Sequence, residues 1–261
     1  MKISKSRAAR FQRMIFAWWE LHKRDLPWRR TRDPYHILIS EVMLQQTQVL
    51  RVLPKYAEFI ETYPTVNELA QASTADVLRI WKGMGYNRRA LYLKKTAEAI
   101  VNVYHGEFPE SEKELTKLPG LGRYTARALL VFAFEKNIAM VDTNIRQIII
   151  HFFFKDLPQN DAIIQDVADQ LVPVHRSWEW HQALMDYGAI ALKRDRPERS
   201  RRTSVPFKNS NRYFRGKLVD MLRESGISER KARTMFSANV ISSLIRDGLI
   251  IKRLGILYLP E

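Results

Sequence analysis

The sequence predicts an all-α protein, a large helical body followed by a small C-terminal module of winged-helix type. Three observations carry this. Apolar residues recur at spacings of three and four along almost the whole chain, the period of amphipathic helices. Proline and glycine fall at short intervals, at Pro27, Asp33-Pro34, Tyr63-Pro64, Gly83 to Gly85, Gly106 to Pro109, Pro119 to Gly122 and Pro158, which predicts many short helices. A strand signal appears only at the end, where the runs LIIKR and ILYLP flank Leu254-Gly255, the pattern of a β-hairpin.

The opening segment, MKISKSRAARFQRMIFAWWE, is basic and then amphipathic, and reads as a first helix. It lacks the apolar core and small-residue cleavage site of a secretory signal, and no stretch approaches the roughly 20 apolar residues of a membrane span. The expected compartment is therefore the cytoplasm, with no membrane partner. In DPYHILISEVMLQQTQV one acid, Glu41, stands among Ile37, Leu38, Ile39, Val42, Met43 and Leu44. Such surroundings penalise its charge and are expected to raise its pKa. Leu91, Leu93, Ala97, Ile100, Val101 and Tyr104 share one side of a helix, with Arg88, Lys94, Lys95 and Glu98 mostly on the other. Ala126, Leu129, Leu130 and Ala133 repeat the pattern after Gly122.

The composition shifts at 193–210, KRDRPERSRRTSVPFKNS, which divides the chain into a body (1–192), a basic linker (193–210) and a module (211–261). The linker is either a solvated charge run or a phosphate contact. In the module, NRYFRGKLVDMLRESG, SERKARTMFSA and NVISSLIRDG read as three helices before the hairpin.

The 261 residues include 43 Lys+Arg against 28 Asp+Glu, a net charge of +15, which points to a polyanionic partner. With 46% hydrophobic residues the chain can bury a sizeable core. It contains no cysteine, which excludes disulfides, thiolate metal sites, a cysteine nucleophile and a Cys-ligated iron-sulfur cluster. His175 and His181, six apart, read as ordinary histidines, and no metal site is expected.

Three stretches carry chemistry. LPGLGRYTA at 118–126 puts Pro119, Gly120 and Gly122 in a tight turn between two helical patterns, one ending near Leu118 and one starting at Thr125. Glycines there free backbone N–H groups to meet a phosphate at the next helix start, a helix-hairpin-helix reading in place of a plain connector. In AMVDTNIRQIII, Asp142 precedes a helical stretch and reads on its own as an N-cap. Glu41 is either a structural acid paired with an arginine or a catalytic one.

Together these stretches resemble the helix-hairpin-helix superfamily of base-excision DNA glycosylases and, within it, the A/G-specific adenine DNA glycosylases. The resemblance covers roughly residues 15–192. It rests on SEVMLQQTQV at 40–49, GMGYNRRALYL at 83–93, FPESEKELTKLPGLGRYTARALL at 108–130 and VDTN at 141–144, with LPW at 26–28. It implies the two-lobed fold of that superfamily and a double-stranded DNA partner carrying a mismatched or oxidised base pair, bound by a monomer. Glu41 is implied to protonate the leaving adenine at N7, Asp142 to stabilise the oxocarbenium-like sugar, and Asn144 to orient the Asp142 site. Gln45 and Gln46 match the wedge that fills the space of a flipped-out base. Leu118, Gly120, Gly122 and Arg123 belong to the hairpin that grips the DNA backbone, where a monovalent cation stays open. Tyr124 stands at the position of the Schiff-base lysine of strand-cleaving members, which implies a monofunctional enzyme that leaves an abasic site.

The sequence departs from the family in three places. MDYGAIAL at 185–192 has Ala191 where the first cluster cysteine is found in the family, so no iron-sulfur cofactor is expected. The positive loop that a cluster would present could come instead from the linker, with Arg199, Arg201 and Arg202 as candidate phosphate contacts. The C-terminal domain that recognises 8-oxoguanine is replaced by the shorter helical module. VDTN stands where adenine glycosylases usually have VDGN, and a residue other than glycine also occurs there in related thymine glycosylases. Three functions stay open: adenine removal opposite 8-oxoguanine or guanine, which the QQT run favours; thymine or uracil removal from mismatches with guanine; and noncatalytic binding of DNA structures.

Overall fold

The computed structural model describes residues 1–194 and 206–261, with the side chains of residues 193 and 194 excluded. In chain order the helices are α1 (Lys5–His22), α2 (Pro34–Leu44), α3 (Val49–Thr62), α4 (Val66–Gln71), α5 (Thr74–Ile80), α6 (Arg88–Tyr104) and α7 (Glu112–Leu115). There follow α8 (Arg123–Phe132), α9 (Thr143–Phe154), α10 (Asp161–Leu171), α11 (Ser177–Arg194) and α12 (Asn211–Glu224). Strand β1 (Ile227–Ser228), α13 (Glu229–Met235), α14 (Ala238–Arg246), β2 (Ile251–Arg253) and β3 (Ile256–Tyr258) close the chain. The mostly helical class and the helix boundaries at the punctuation residues agree with the sequence reading. None of the described helices is long and apolar enough to cross a membrane.

The chain divides into two compact units that interleave in sequence: Met1–Leu38, Glu110–Lys117 and the stretch from Leu121 through α11 in the first, and Ile39–Pro109, Leu118–Gly120 and the chain from Pro206 onward in the second. In the first unit α1 contributes Phe11, Ile15 and Trp19 to a core completed by Ile145, Ile148, Ile149 and Phe153 of α9, Ile164 and Val167 of α10, and Trp180 and Leu184 of α11. These are the i, i+3, i+4 and i+8 positions of amphipathic helices, and their burial supplies most of the helices' stability. Deeper in the same unit, the fully buried Asp186 carboxylate takes both guanidinium nitrogens of Arg29 at 2.8 Å, Arg24 Nε at 2.6 Å and Trp19 Nε1 at 3.0 Å. Burial alone would push this carboxyl up; the two arginines outweigh it and hold it below its ordinary value.

In the second unit α6 packs on α4 and α5. Lys94, expected on its outer side, is buried: Nζ bonds the Glu98 carboxylate at 2.5 Å one turn on, so the long stem packs while the charge keeps a partner. The module has its three helices, each begun by a serine (Ser210, Ser228, Ser237) whose hydroxyl accepts from the backbone N–H three residues on. The predicted hairpin forms β2 and β3 around Leu254 and Gly255, both at positive φ, the two-residue turn that matches strand twist. β1 adds an unpredicted third strand, giving the antiparallel order β1-β3-β2.

Candidate active site and nucleic-acid interface

Asp142 caps α9. One carboxylate oxygen accepts from Ile145 N–H at 2.6 Å and the other from Asn144 Nδ2 at 3.1 Å, so both oxygens are oriented. Asn144 thus lies against the Asp142 carboxylate. Its own position depends on Gly188 of α11, where a Cβ would lie 2.7 Å from Asn144 Cβ. Burial is the largest influence on Asp142 and raises its pKa despite the hydrogen bonds that pull the other way. That differs from an ordinary exposed N-cap aspartate, whose pKa falls.

The segment entering Asp142 is clamped on every side. Ser177 Oγ donates to Ile138 O at 3.0 Å, Arg127 Nη1 to Ala139 O at 2.7 Å, and Met140 N–H donates to His181 Nε2 at 3.0 Å. His181 gives its Nδ1 proton to Ser177 O at 2.6 Å, which fixes the neutral tautomer, and burial depresses its pKa to about 4. His181 is therefore a structural histidine. Tyr124, in the first turn of α8, is partly buried in the same unit.

Glu41 belongs to the second unit and to α2, a helix buried nearly all round: Ile37, Leu38, Ile39, Ser40, Val42 and Met43 are each 5% exposed or less, and Glu41 itself 5%. At the end of α2 the chain turns through Gln45, partly buried, and Gln46, exposed at φ 53°. The residue that builds this turn is Arg89, which the sequence reading did not single out. Its Nη1 donates to the carbonyls of Val42, Met43 and Gln45 at 2.7–2.9 Å, satisfying carbonyls that the helix end leaves open, and Nη2 reaches Met84 O at 3.0 Å and Thr47 Oγ1 at 3.1 Å. Without a carboxylate partner among these contacts, burial lowers its pKa to about 10, still charged at neutral pH. The doubled arginine after GMGYN was the available signal.

The hairpin differs in detail from the expectation. The helix before it, α7, stops at Leu115 instead of near Leu118, and α8 starts at Arg123, two residues before Thr125. Leu118 is 4% exposed, so its side chain anchors the turn and only its backbone can face a ligand. Thr96 Oγ1 donates to Pro119 O at 2.7 Å, and Gly120, at φ +76°, passes so close to Tyr92 that a Cβ would lie 2.6 Å from Tyr92 Cβ. Gly122 caps α8 without a side-chain oxygen, leaving the first-turn N–H groups to an outside acceptor. Gly120, Gly122 and Arg123 are exposed, and Arg123 pairs with Glu112 at 2.8 Å. Arg199, Arg201 and Arg202 lie outside the described residues. A four-thiolate cluster does not fit this chain, which has no cysteine to hold it.

A helical body with a glycine hairpin and a helix-capping aspartate downstream defines the class of the base-excision repair proteins. The chain belongs to the HhH-GPD superfamily of base excision DNA repair proteins, whose profile matches residues 39–173. It is 34% identical over 266 residues to an adenine DNA glycosylase of Mycolicibacterium smegmatis, covering 90% of this chain and 91% of the relative. An adenine DNA glycosylase of Buchnera aphidicola is 33% identical over 191 residues, 72% of this chain, which spans only 54% of that relative's length. Among solved structures, a thermostable thymine-DNA glycosylase superposes with a TM-score of 0.66 at 34% identity, over 70% of this chain and 86% of the other.

Proposed function

We propose that this chain is a monofunctional DNA glycosylase that hydrolyses the N-glycosidic bond of adenine opposite 8-oxoguanine or guanine in double-stranded DNA, acting as a monomer and leaving an abasic site. The observation that carries the reading is the Asp142 carboxylate, with both oxygens oriented at the start of a 12-residue helix, in a chain whose relatives include adenine DNA glycosylases. A fixed anion is what a sugar acquiring positive charge requires, because a preorganised charge costs no reorientation as the bond breaks. Glu41, in its apolar helix, is the proton donor to the leaving base, since adenine departs poorly as an anion. Tyr124 has no amine with which to form an imine, so the strand is left uncut. The exposed hairpin glycines and the start of α8 hold a backbone phosphate.

The test is incubation with duplexes carrying A:8-oxoG, A:G, T:G, U:G and matched pairs, followed by hot alkali to reveal abasic sites. The expected product comes from the two adenine duplexes only. A second reading, thymine or uracil removal opposite guanine, is favoured by the likeness to the thymine-DNA glycosylase and by Thr143 beside Asp142; cleavage at T:G or U:G would establish it instead.

A further inference from the structure

Two arginines of α8 share one carboxylate inside the first unit. Arg123 Nε donates to Glu112 Oε1 at 2.8 Å and Arg127 Nε to Glu112 Oε2 at 2.7 Å, so each oxygen of Glu112 serves one guanidinium. Arg123 and Arg127 are four positions apart on the helix, where like charges repel each other. Among the described residues, Glu112 is the one carboxylate within hydrogen-bond distance of either. Asp169 lies 3.7 Å from Arg127 Nη1 and accepts from the Gln165 amide at 3.0 Å instead. Two positive charges therefore divide one negative charge.

The surroundings of the two arginines differ. Arg123 has 60% of its side chain exposed and stands in the first turn of α8, the helix end that disfavours a cation. An anion arriving at the bare N–H groups of that turn makes the placement favourable. Arg127 is 14% exposed, and its Nη1 donates to Ala139 O at 2.7 Å. Gln165 Nε2 reaches the same carbonyl at the longer distance of 3.3 Å, so Arg127 is its main donor. Ala139 lies three residues before Asp142 and next to Met140, whose N–H is held by His181. Arg123, Glu112, Arg127 and Ala139 thus form one line of contacts from the start of α8 to the segment that places Asp142.

We propose that Glu112 and Arg127 are positioning residues for Asp142, and that Glu112 makes their hold depend on a DNA phosphate bound at the start of α8. In the free protein Glu112 is divided between the two arginines. A phosphate draws Arg123 away, each guanidinium then has an anion of its own, and Glu112 is left wholly to Arg127, which fixes the Ala139 carbonyl. The two discrete states are Arg123 on Glu112 and Arg123 on phosphate, and the catalytic segment is ordered in the second. The phosphate and the role of Asp142 are those of the proposed function, on which this inference rests.

The experiment follows amide hydrogen exchange in residues 139–145 by mass spectrometry, without DNA and with a saturating undamaged duplex, together with duplex affinity and single-turnover excision from a saturating A:8-oxoG duplex. In the native protein the duplex should slow exchange in this segment about tenfold, an ordinary size for coupling between two sites. Arg123→Ala, at an exposed position, should bind the duplex more weakly yet show the slow exchange already without DNA. Glu112→Gln should bind about threefold more tightly, since no exposed ion pair has to be broken first. Its segment should nevertheless keep fast exchange with the duplex bound, and its saturated excision rate should fall about tenfold. Affinity and rate moving in opposite directions separates positioning from a merely structural role, which would lower both. A native segment indifferent to the duplex, a Glu112→Gln segment slowed as in the native protein, or free Arg123→Ala exchanging as fast as the free native protein would each overturn the proposal. Exchange and affinity are read on undamaged DNA, so absence of excision from every mismatched duplex would sink the proposed function and leave these readings standing.

Discussion

His181 Nε2 accepts the Met140 N–H at 3.0 Å, two residues ahead of Asp142, and can do so only while the imidazole is neutral. In the folded protein its pKa is near 4, against an ordinary value of 6.5, so the unfolded chain binds the additional proton between these values. Stability is then full above about pH 6.5 and falls as pH drops toward about 4, by up to about 3 kcal/mol. Urea unfolding across this window should show the slope in the native protein and lose it in His181→Gln, which keeps an acceptor but does not titrate. An identical slope in the variant would remove His181 from the account.

Glu41→Gln and Asp142→Asn should each abolish single-turnover excision while leaving duplex affinity within about threefold, because the acids serve the transition state. Near-normal rates in either variant would refute the assignment.

Because burial holds the Asp142 pKa above its ordinary value of 3.8, the acid limb of the excision rate should lie above that value as well. Asn144→Ala removes a hydrogen bond to the charged form and should move this limb to still higher pH. A rate loss in Asn144→Ala with the pH profile unmoved would mean that Asn144 serves only packing against Gly188.

Arg89→Lys should destabilise the fold by about 2–4 kcal/mol, since an ammonium cannot span the acceptors that the guanidinium fork reaches and leaves buried carbonyls unpaired. Urea titration measures this. A loss under 1 kcal/mol, of order the median single substitution, would show that the turn at Gln45 holds itself.

Borohydride should trap no covalent adduct between the native protein and damaged DNA, whereas Tyr124→Lys should form one. Efficient trapping by the native protein would refute monofunctional action.

Neutralising Arg199, Arg201 and Arg202 together should flatten the slope of log affinity against log salt by up to about 2–3 units, at roughly 0.9 per phosphate contact. An unchanged slope would make the segment a solvated linker.

Local signals made much of this protein legible. Asp142 could be read as a cap because the bond it makes is to a residue three positions away, and the Leu-Gly hairpin because its turn needs two residues at positive φ. The hairpin glycines were readable for the same reason, although the close approach of Tyr92, a second reason for glycine at position 120 besides its positive φ, was not. The family motifs fixed the order of the acids along the chain.

The tertiary structure alone decided the rest, because the decisive partners are far apart in sequence. Lys94 reads as a surface residue from its helical period, yet it is buried, with its charge paired to the half-exposed Glu98. Arg89 and Val42 are 47 residues apart, Asp186 and Arg29 157, and His181 and Met140 41, so no periodicity or spacing could pair them. Buried polar groups take whatever partner the packed chain brings within hydrogen-bond reach, since leaving one unpaired costs more than the bond itself yields. The sequence by itself determined the helices, the caps and the acids. Only the fold decided which arginine holds the Gln45 turn and which histidine holds the segment into Asp142.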